Sequence, residues 1–368
     1  MQLKNKKIIK IKLYLFLLQK KMTKQVKESA VNTLELDKVK IDEKIASDGE
    51  YTSEGILIKK WILTNDENEN SENKGKDQNK YLTSLQKNGC QYTGTLNEKF
   101  QRDGYGLEVF ENGDKYFGLF ESDVRNDKGI YYFAPKKNPE NENSTNIQSE
   151  CYLGQWKNNV KDKNGIYIWM DQPENNYEYD NANFEAYVGE FDDEKYVRGT
   201  YLSKLNNEYY LYHGNFDQDG KKNDNNAYFF SSKSNKIFHG KIIKDVLVNG
   251  YLGSFDAEGE NVTEVVYCKF NEDGSANDVI EQNKLNEEDV QEETKNIKNF
   301  RSIIFDGDTF GKIYNKFTKI KAKIDRLEDM IEVLEKEDNI AEIEKILNKY
   351  NKKNIYFYIE ENFFGRKM

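Results

Sequence analysis

Residues 116–120 read Tyr116-Phe117-Gly118-Leu119-Phe120, and this stretch decides the fold because its pattern occurs in six copies. The pattern is an aromatic residue, any residue, a glycine, any residue and a large apolar residue. Self-similarity at a period of roughly 20–50 residues is typical of repeat architectures. The other five copies are Tyr92-Thr93-Gly94-Thr95-Leu96, Tyr152-Leu153-Gly154-Gln155-Trp156, Tyr187-Val188-Gly189-Glu190-Phe191, Tyr212-His213-Gly214-Asn215-Phe216 and Phe238-His239-Gly240-Lys241-Ile242.

Each copy has the alternation of a β-strand, so its first, third and fifth residues share one face. The glycine leaves a gap in that face, into which a neighbouring aromatic ring can pack. A second strand-like segment, such as Ile130-Tyr131-Tyr132-Phe133, begins about 10 to 12 residues after each glycine. Polar stretches such as 125–128 are predicted to link the two strands. A lone hairpin is marginal in water, so we expect the hairpins to stack into one elongated antiparallel sheet.

The motif resembles the MORN repeat (membrane occupation and recognition nexus), most clearly in Asn88-Gly89-Cys90-Gln91-Tyr92-Thr93-Gly94 and Asn112-Gly113-Asp114-Lys115-Tyr116-Phe117-Gly118. The resemblance covers about residues 88–255, with degenerate units at 51–61 and 251–270. It implies a mainly β protein that binds protein partners through an extended sheet. It further implies a cytoplasmic, cytoskeleton-associated scaffold, with cilia among the settings.

The chain departs from the family pattern in two ways. Relatives usually carry Gly-x-Gly in the second strand, and here only Gly104-Tyr105-Gly106 does. Tyrosines are interpreted as taking the second glycine's place in the later repeats. The two longest repeat intervals contain polar insertions at 138–150 and 171–186, which are predicted to be loops.

Composition and pattern divide the chain into four segments. Residues 1–50 are predicted to be a basic, largely disordered extension, and 51–275 the repeat array, with a low-complexity loop at 65–80. Residues 276–300 are predicted to be an acidic linker, and 301–368 a helical segment, either a hairpin or a short coiled coil. Only 37% of residues are hydrophobic, which suits a thin sheet, and the 25 Tyr and 21 Phe are expected to supply most of its core.

Charge is unevenly distributed and restricts the partners. Residues 51–275 carry 26 bases and 38 acids, a net charge of −12. An acidic array repels nucleic-acid phosphates and anionic lipid headgroups, so no nucleic-acid partner is expected. Residues 1–27 carry nine Lys and no acid. That cluster leaves an alternative open, in which the chain is a peripheral membrane tether with its N-terminus on anionic lipid.

The N-terminus itself has several interpretations. Its apolar stretch is too short to span a bilayer, and a poor cleavage site argues against a signal peptide. Organelle targeting, a membrane-surface anchor and a translation start at Met22 all stay open.

The C-terminal region changes to a helical period. Apolar residues recur at heptad spacing, which predicts either a helical hairpin that caps the open edge of the array or a seam for a partner or a second copy. The heptad positions are Ile313, Phe317, Ile320, Ile324, Leu327, Ile331 and Leu334.

No catalytic, cofactor or metal signature occurs, so a non-enzymatic protein is expected. His213 and His239 fill the same position in successive repeats, but equivalent strands lie roughly 10 Å apart, too far for one metal. We interpret both as solvent-side strand residues, which predicts that His213→Ala has no measurable effect. Three cysteines without CxxC pairing are typical of free thiols rather than a disulfide framework.

Two groups of residues are predicted to bind partners. Phe117, Tyr132 and Trp169 are predicted to be solvent-side aromatics, opposite the face of the repeat glycines. Ile320, Ile324, Leu327 and Ile331 form the helical seam through which self-association is expected.

Overall fold

The structure is a computed structural model. It describes residues 49–53, 56–62, 81–87, 90–97, 99, 101–137, 146–173, 183–205, 208–256, 259, 261–271 and 276–304, and in the C-terminal region 319, 322, 326–331, 342–343 and 345–346. The low-complexity loop at 65–80 and nearly all of the 1–50 extension lie outside the described residues.

The described chain is mainly β and contains one long helix, α1 (Glu287–Ile304), preceded by a 3-10 turn at Gln282–Lys284. The strands are β1 (Gly49–Ser53), β2 (Ile56–Ile62), β3 (Tyr81–Lys87), β4 (Cys90–Leu96), β5 (Arg102–Val109), β6 (Lys115–Glu121), β7 (Val124–Lys137), β8 (Asn146–Lys157), β9 (Val160–Pro173), β10 (Asn183–Asp192), β11 (Lys195–Leu205), β12 (Glu208–Asn215), β13 (Asp224–Ser231), β14 (Lys236–Ile243), β15 (Val246–Phe255), β16 (Val262–Phe270) and β17 (Ala276–Ile280).

Every strand pairs antiparallel with the next strand in the chain, from β1 to β17. The sheet is therefore an open meander with β1 and β17 at its edges among the described residues. This confirms the predicted fold class of an extended antiparallel sheet of β-hairpins. The six motif copies correspond to hairpins 1 to 6, which are β4–β5, β6–β7, β8–β9, β10–β11, β12–β13 and β14–β15.

Most hairpins close through short turns with positive backbone φ. Ser122 and Asp123 have φ of 49° and 72°, and Asn158 and Asn159 have 50° and 71°. Two consecutive positive φ values are the geometry of the two-residue turns that match strand twist. The predicted link at 125–128 was wrong, because the turn precedes it and these residues belong to β7.

Glycines from successive strands lie opposite one another and form a row across the sheet. Gly94 pairs with Gly106, and Gly106 with Gly118. The row continues through Gly129, Gly154, Gly165, Gly189, Gly199 and Gly214, and later through Ala227, Gly240 and Gly250. A Cβ atom on Gly94 would lie 2.4 Å from the Tyr92 hydroxyl. The predicted gap for an aromatic ring is confirmed.

The register corrects the interpretation of the second strand. Gly106, rather than Gly104, is the residue equivalent to Gly129, so later repeats lack the first glycine of Gly-x-Gly and not the second. The place of the first glycine is taken by Asp127 and Lys163. Their φ values of 56° and 54° are positive, like the 93° of Gly104. Tyr131 and its equivalents lie two residues beyond the row.

Three segment predictions need correction. The insertions at 138–150 and 171–186 are partly strand, since β8 begins at 146, β9 ends at 173 and β10 begins at 183. The segment 276–300 is not a linker, because it contains β17 and most of α1. The acidic composition gave the appearance of a linker. In α1 the acids lie mainly on the exposed side of the helix, and Ile297 and Phe300 are buried on its other side.

Candidate functional site

The face that carries the repeat glycines, here called the ladder face, is lined by flat-lying tyrosines. Tyr92, Tyr116, Tyr152, Tyr187 and Tyr212 are at most 1% exposed. Each hydroxyl donates a hydrogen bond to the backbone carbonyl three residues later, at 2.5–3.0 Å. The ring must cross the glycine to reach that carbonyl, which explains why aromatic, glycine and strand spacing recur together.

Aromatic rings of successive hairpins interlock at right angles. Tyr92 and Tyr116 both contact Phe120, at centroid distances of 5.3 and 5.1 Å. Edge-to-face pairs of this kind add about 0.5–1.5 kcal/mol each beyond burial. The same arrangement continues from Tyr116 to Trp156, Tyr152, Phe191, Tyr187, Phe216 and Tyr212. We call this continuous stack the aromatic ladder.

Buried cations complete the ladder. Arg102, Arg125, Lys161 and Lys222 lie opposite the fifth motif residue of hairpins 1, 2, 3 and 5. They are at most 6% exposed. The Arg125 guanidinium lies 4.9 Å from the ring centroid of Trp156, and Lys222 Nζ lies 5.5 Å from that of Tyr201. Cation–π contacts of this type gain strength when desolvated.

Each cation also clamps its hairpin to the turn of the next hairpin. The Asp123 backbone N–H donates to the Arg102 carbonyl at 3.0 Å, and Asp123 Oδ1 accepts from the Arg102 backbone N–H at 2.8 Å. The Arg102 Nε–H donates to the same oxygen at 3.3 Å. The same clamp joins Arg125 to Asn159, Lys161 to Glu194 and Lys222 to Asp245.

Two clamps differ in charge. Arg102 has a second carboxylate, since its Nη1 donates to Glu108 Oε1 at 2.7 Å. Arg125 faces the neutral Asn159, whose carbonyl accepts from Nη2 at 3.3 Å, and its Nε and Nη1 have no hydrogen-bond partner in the described part of the chain. Hairpin 2 is therefore held by a clamp without an ion pair.

The spacing of the cations in the sequence is a signal for these clamps. A cation follows the fifth motif residue by five or six positions in hairpins 1, 2, 3 and 5. Tyr196 and Leu247 fill the equivalent places in hairpins 4 and 6. The pattern appears only when each cation is located relative to its motif copy, and a total of charges does not reveal it.

Burial keeps the ladder hydroxyls protonated. It raises the pKa of Tyr116 well above the usual range, with Arg125 acting in the opposite direction. Burial and then Asp114 raise the pKa of Tyr131, whose hydroxyl donates to Asp114 Oδ2 at 2.8 Å. Burial also raises the pKa of Glu150, which accepts from the Tyr167 hydroxyl at 2.7 Å. These groups are donors and acceptors within the fold at neutral pH.

The opposite face, here called the outer face, changes along the sheet. Its central row begins with aliphatic and aromatic residues and ends with polar and aromatic ones. In register order the row is Leu107, Phe117, Ile130, Leu153, Ile166, Val188, Thr200, His213, Tyr228, His239, Tyr251 and Tyr267.

The three predicted partner aromatics are buried, so their solvent-side placement was wrong. Phe117 and Tyr132 lie on the outer face, 8% and 2% exposed. Trp169 lies on the ladder face, 8% exposed, and stacks on Tyr167 at 4.2 Å. Trp169 lies two positions after Tyr167, and this even spacing places both on one face.

Two of the heptad residues, Leu327 and Ile331, contact the outer face. Leu327 and Ile331, 0% and 2% exposed, pack with Leu107 and Phe117 on β5 and β6. Ile343 and Ile346 join the same cluster, and Lys115 forms an ion pair with Glu328. The contact is with a face of the sheet rather than with an edge strand. Ile320 and Ile324 lie outside the described residues.

Both histidines are buried on the outer face beneath α1, so their solvent-side placement was also wrong. His213 and His239 are 9% and 6% exposed. His213 Nδ1 and Thr200 Oγ1 are 2.9 Å apart. Burial, and then the Arg198 charge, lower the pKa of His213 to about 4. His239 Nδ1 lies 2.6 Å from Glu293 Oε2 on α1.

All three cysteines are free, and Cys151 and Cys268 are buried. Burial raises the pKa of the Cys268 thiol to about 11, and that of Cys151 further. Within the described residues, no group of three or more His, Cys, Asp or Glu side chains could hold a metal ion.

Comparisons with known proteins add no assignment. No protein-family model matches the sequence. A search of curated proteins found no significant match. Among the described helices, none is both long and apolar enough to cross a membrane.

Proposed function

We propose that the chain is a non-enzymatic scaffold whose extended sheet binds protein partners. The observation that carries this proposal is the clamp that joins each of several hairpins to the next. The buried charges of the ladder face hold neighbouring hairpins together, as Arg102 does through Asp123 and Lys222 through Asp245. Sixteen strand steps at about 4.8 Å each give a length of roughly 75 Å, which is suited to spacing or aligning other proteins.

The setting is proposed from the MORN resemblance. Such repeats imply cytoskeletal or ciliary assemblies in the cytoplasm, and the acidic array favours protein surfaces over nucleic acid or anionic lipid. Self-association through the C-terminal helices belongs to the same proposal. Leu327 and Ile331 contact the chain's own sheet, so a partner that uses them must compete with that contact.

Proximity labelling in the native cell tests the scaffold role. The full chain would be compared with Gly154→Val, which breaks hairpin 3, and with Lys157→Ala, an exposed control in the same hairpin. A scaffold loses its specific neighbours with Gly154→Val and keeps them with Lys157→Ala. An identical set of labelled proteins for all three chains would contradict the proposal.

A peripheral membrane tether is the second candidate, and the nine Lys and no acid in residues 1–27 favour it. Sedimentation with anionic vesicles at low salt, for chains that start at Met1 and at Met22, tests it. The tether requires binding that depends on residues 1–21. If both chains stay in the supernatant, that function is excluded.

A further inference from the structure

The contact between α1 and the outer face has the features of a binding site with an occupant in place. Three apolar side chains of α1 face the sheet: Val290, Ile297 and Phe300. They are spaced by seven and three residues, which places them on one side of the helix. The opposite side, which includes Glu288, Gln291, Lys295 and Lys298, is exposed.

The sheet surface beneath α1 is shaped for a helix. Gly253 provides a recess for Ile297, because a Cβ atom there would lie 2.9 Å from Ile297 Cδ1. Phe300 stacks on Tyr228 at 4.3 Å, and Tyr228 stacks on His239 at 4.1 Å. We call the outer-face surface of Tyr228, His239, Gly253 and Phe255 the helix seat.

Polar contacts fix the direction of the helix on this seat. Glu293 contacts His239 near the middle of α1. Arg301 near its end donates to Asn235 Oδ1 at 3.3 Å and lies 4.1 Å from the ring centroid of Phe255. Interfaces with this mixture of a few apolar anchors and polar pairs resemble exchangeable interfaces more than permanent ones.

The other helical contact of the outer face is different. Leu327, Ile331, Ile343 and Ile346 meet Leu107 and Phe117 through aliphatic and aromatic side chains, with the Lys115–Glu328 ion pair beside them. The helix seat instead contacts α1 through Tyr228, His239 and the recess at Gly253. Each of these accepts a particular side chain, so the seat is selective for one pattern of anchors. Three acids in the first turn of α1, Glu287 to Asp289, favour a helix at this end even without the sheet.

We propose that α1 is a displaceable intramolecular occupant of the helix seat, and that the seat binds an amphipathic helix of a partner protein. The partner helix carries the same anchors: an aliphatic residue, a carboxylate three residues later, an aliphatic residue four after that, then an aromatic three later with an adjacent cation. This rests on the proposed scaffold function and names the class of partner for one of its surfaces. Recognition of spaced anchors by a groove is a common mode of helix binding.

A labelled synthetic peptide of residues 286–304 serves as the probe of the seat. Fluorescence polarisation would measure its Kd for the full chain and for the Phe300→Ala chain, in which the tethered helix loses an anchor and the seat is unchanged. We expect at least tenfold tighter binding by Phe300→Ala, because the competing occupant is weakened. Adding Gly253→Val to that chain fills the recess and should abolish binding. Circular dichroism would verify that both chains keep the sheet.

A second measurement needs no variant. Hydrogen exchange of the wild-type chain should show amides of α1 exchanging at least a hundredfold faster than those of β8 and β9, since a displaceable helix opens locally. Equal protection of α1 and these strands overturns the proposal. So does a peptide that binds none of the chains, or binds regardless of Gly253→Val.

Self-association is a separate outcome. If the mass of Phe300→Ala doubles with concentration while the peptide fails to compete, the seat takes a second copy and the proposed partner class is wrong. The scaffold role is read from Gly154→Val in hairpin 3, whereas the seat lies on β13 to β15. Failure of either proposal is therefore visible without the other.

Discussion

The ladder face and the outer face are built from the same strands under different constraints. On the ladder face, the same side chains return at the same register, from Tyr92 to Tyr212. On the outer face, the equivalent row changes from Leu107 at one end to Tyr267 at the other, with His213 and His239 between them. The ladder is packed against itself, whereas two regions of the outer face are matched to the helical segments that cover them.

This difference separates the residues that recur in every hairpin from those that are specific to one place on the sheet. A ladder residue must fit its own glycine, its neighbour's ring and the clamp, so few residue types are tolerated. An outer-face residue must fit only its local cover, such as Ile297 above Gly253. Substitutions on the ladder face should therefore damage the fold, and substitutions on the outer face should change what docks there.

The largest effect is expected from Gly154→Val on the ladder face. A Cβ atom at Gly154 would lie 2.3 Å from the Tyr152 hydroxyl and 2.7 Å from the Gly165 backbone. Neither can move without breaking the strand pair, so we expect a loss of more than about 3 kcal/mol in the free energy of unfolding, at or beyond the usual cost of overpacking. Urea unfolding followed by circular dichroism measures it.

The matched control is the same substitution on the outer face. The three heavy atoms nearest to a Cβ atom at Gly253 all belong to Ile297 of α1, so Gly253→Val should release α1 and leave the unfolding of the sheet nearly unchanged. If the two variants lose equal stability, the contrast between the faces is wrong.

The two faces also differ in how far the sequence predicts them. The six motif copies predict the ladder face, because the aromatic residue, the glycine and the large apolar residue that pack there lie within five consecutive residues. The strands, the hairpins and the glycine gap all follow from this spacing. The outer face has no such local signal. The burial of Phe117 depends on Leu327, about two hundred residues later in the chain. Likewise, the burial of His239 depends on Glu293. Such contacts come from tertiary packing, which periodicity alone does not reveal.

An intermediate effect is expected from pH, through His213 on the outer face. Its pKa of about 4 in the folded chain lies below the ordinary value of 6.5, so the unfolded chain binds the extra proton first as pH falls. The stability contribution is complete well above pH 6.5 and is lost as pH falls toward 4, by about 3 kcal/mol. The facing groups are Arg198, which lowers the pKa further, and Asp224, which opposes it.

The variant His213→Phe isolates this effect. Its stability should fall less than that of the wild type between pH 6.5 and 4.5, when both are measured by urea unfolding. Parallel pH profiles of the two chains would show that His213 is not the buried neutral group described here. The earlier expectation that His213→Ala is silent is replaced by a destabilisation, since the imidazole is buried beside Thr200 and Phe300.

The smallest effect is a gain on the ladder face, from Asn159→Asp. Asn159 lies where the other clamps place Asp123, Glu194 and Asp245, and Arg125 is 0% exposed with two unpartnered donor nitrogens in the described chain. Asp tolerates the positive φ of this turn, and it would give Arg125 a charge-assisted hydrogen bond. Because the cost of burying Arg125 is already present, we expect a gain of about 1 kcal/mol in the free energy of unfolding. Asn158→Asp adds the same charge one residue earlier, outside the clamp, and should give no gain. Equal effects of the two substitutions would mean that net charge, and not the clamp, determines the stability of hairpin 2.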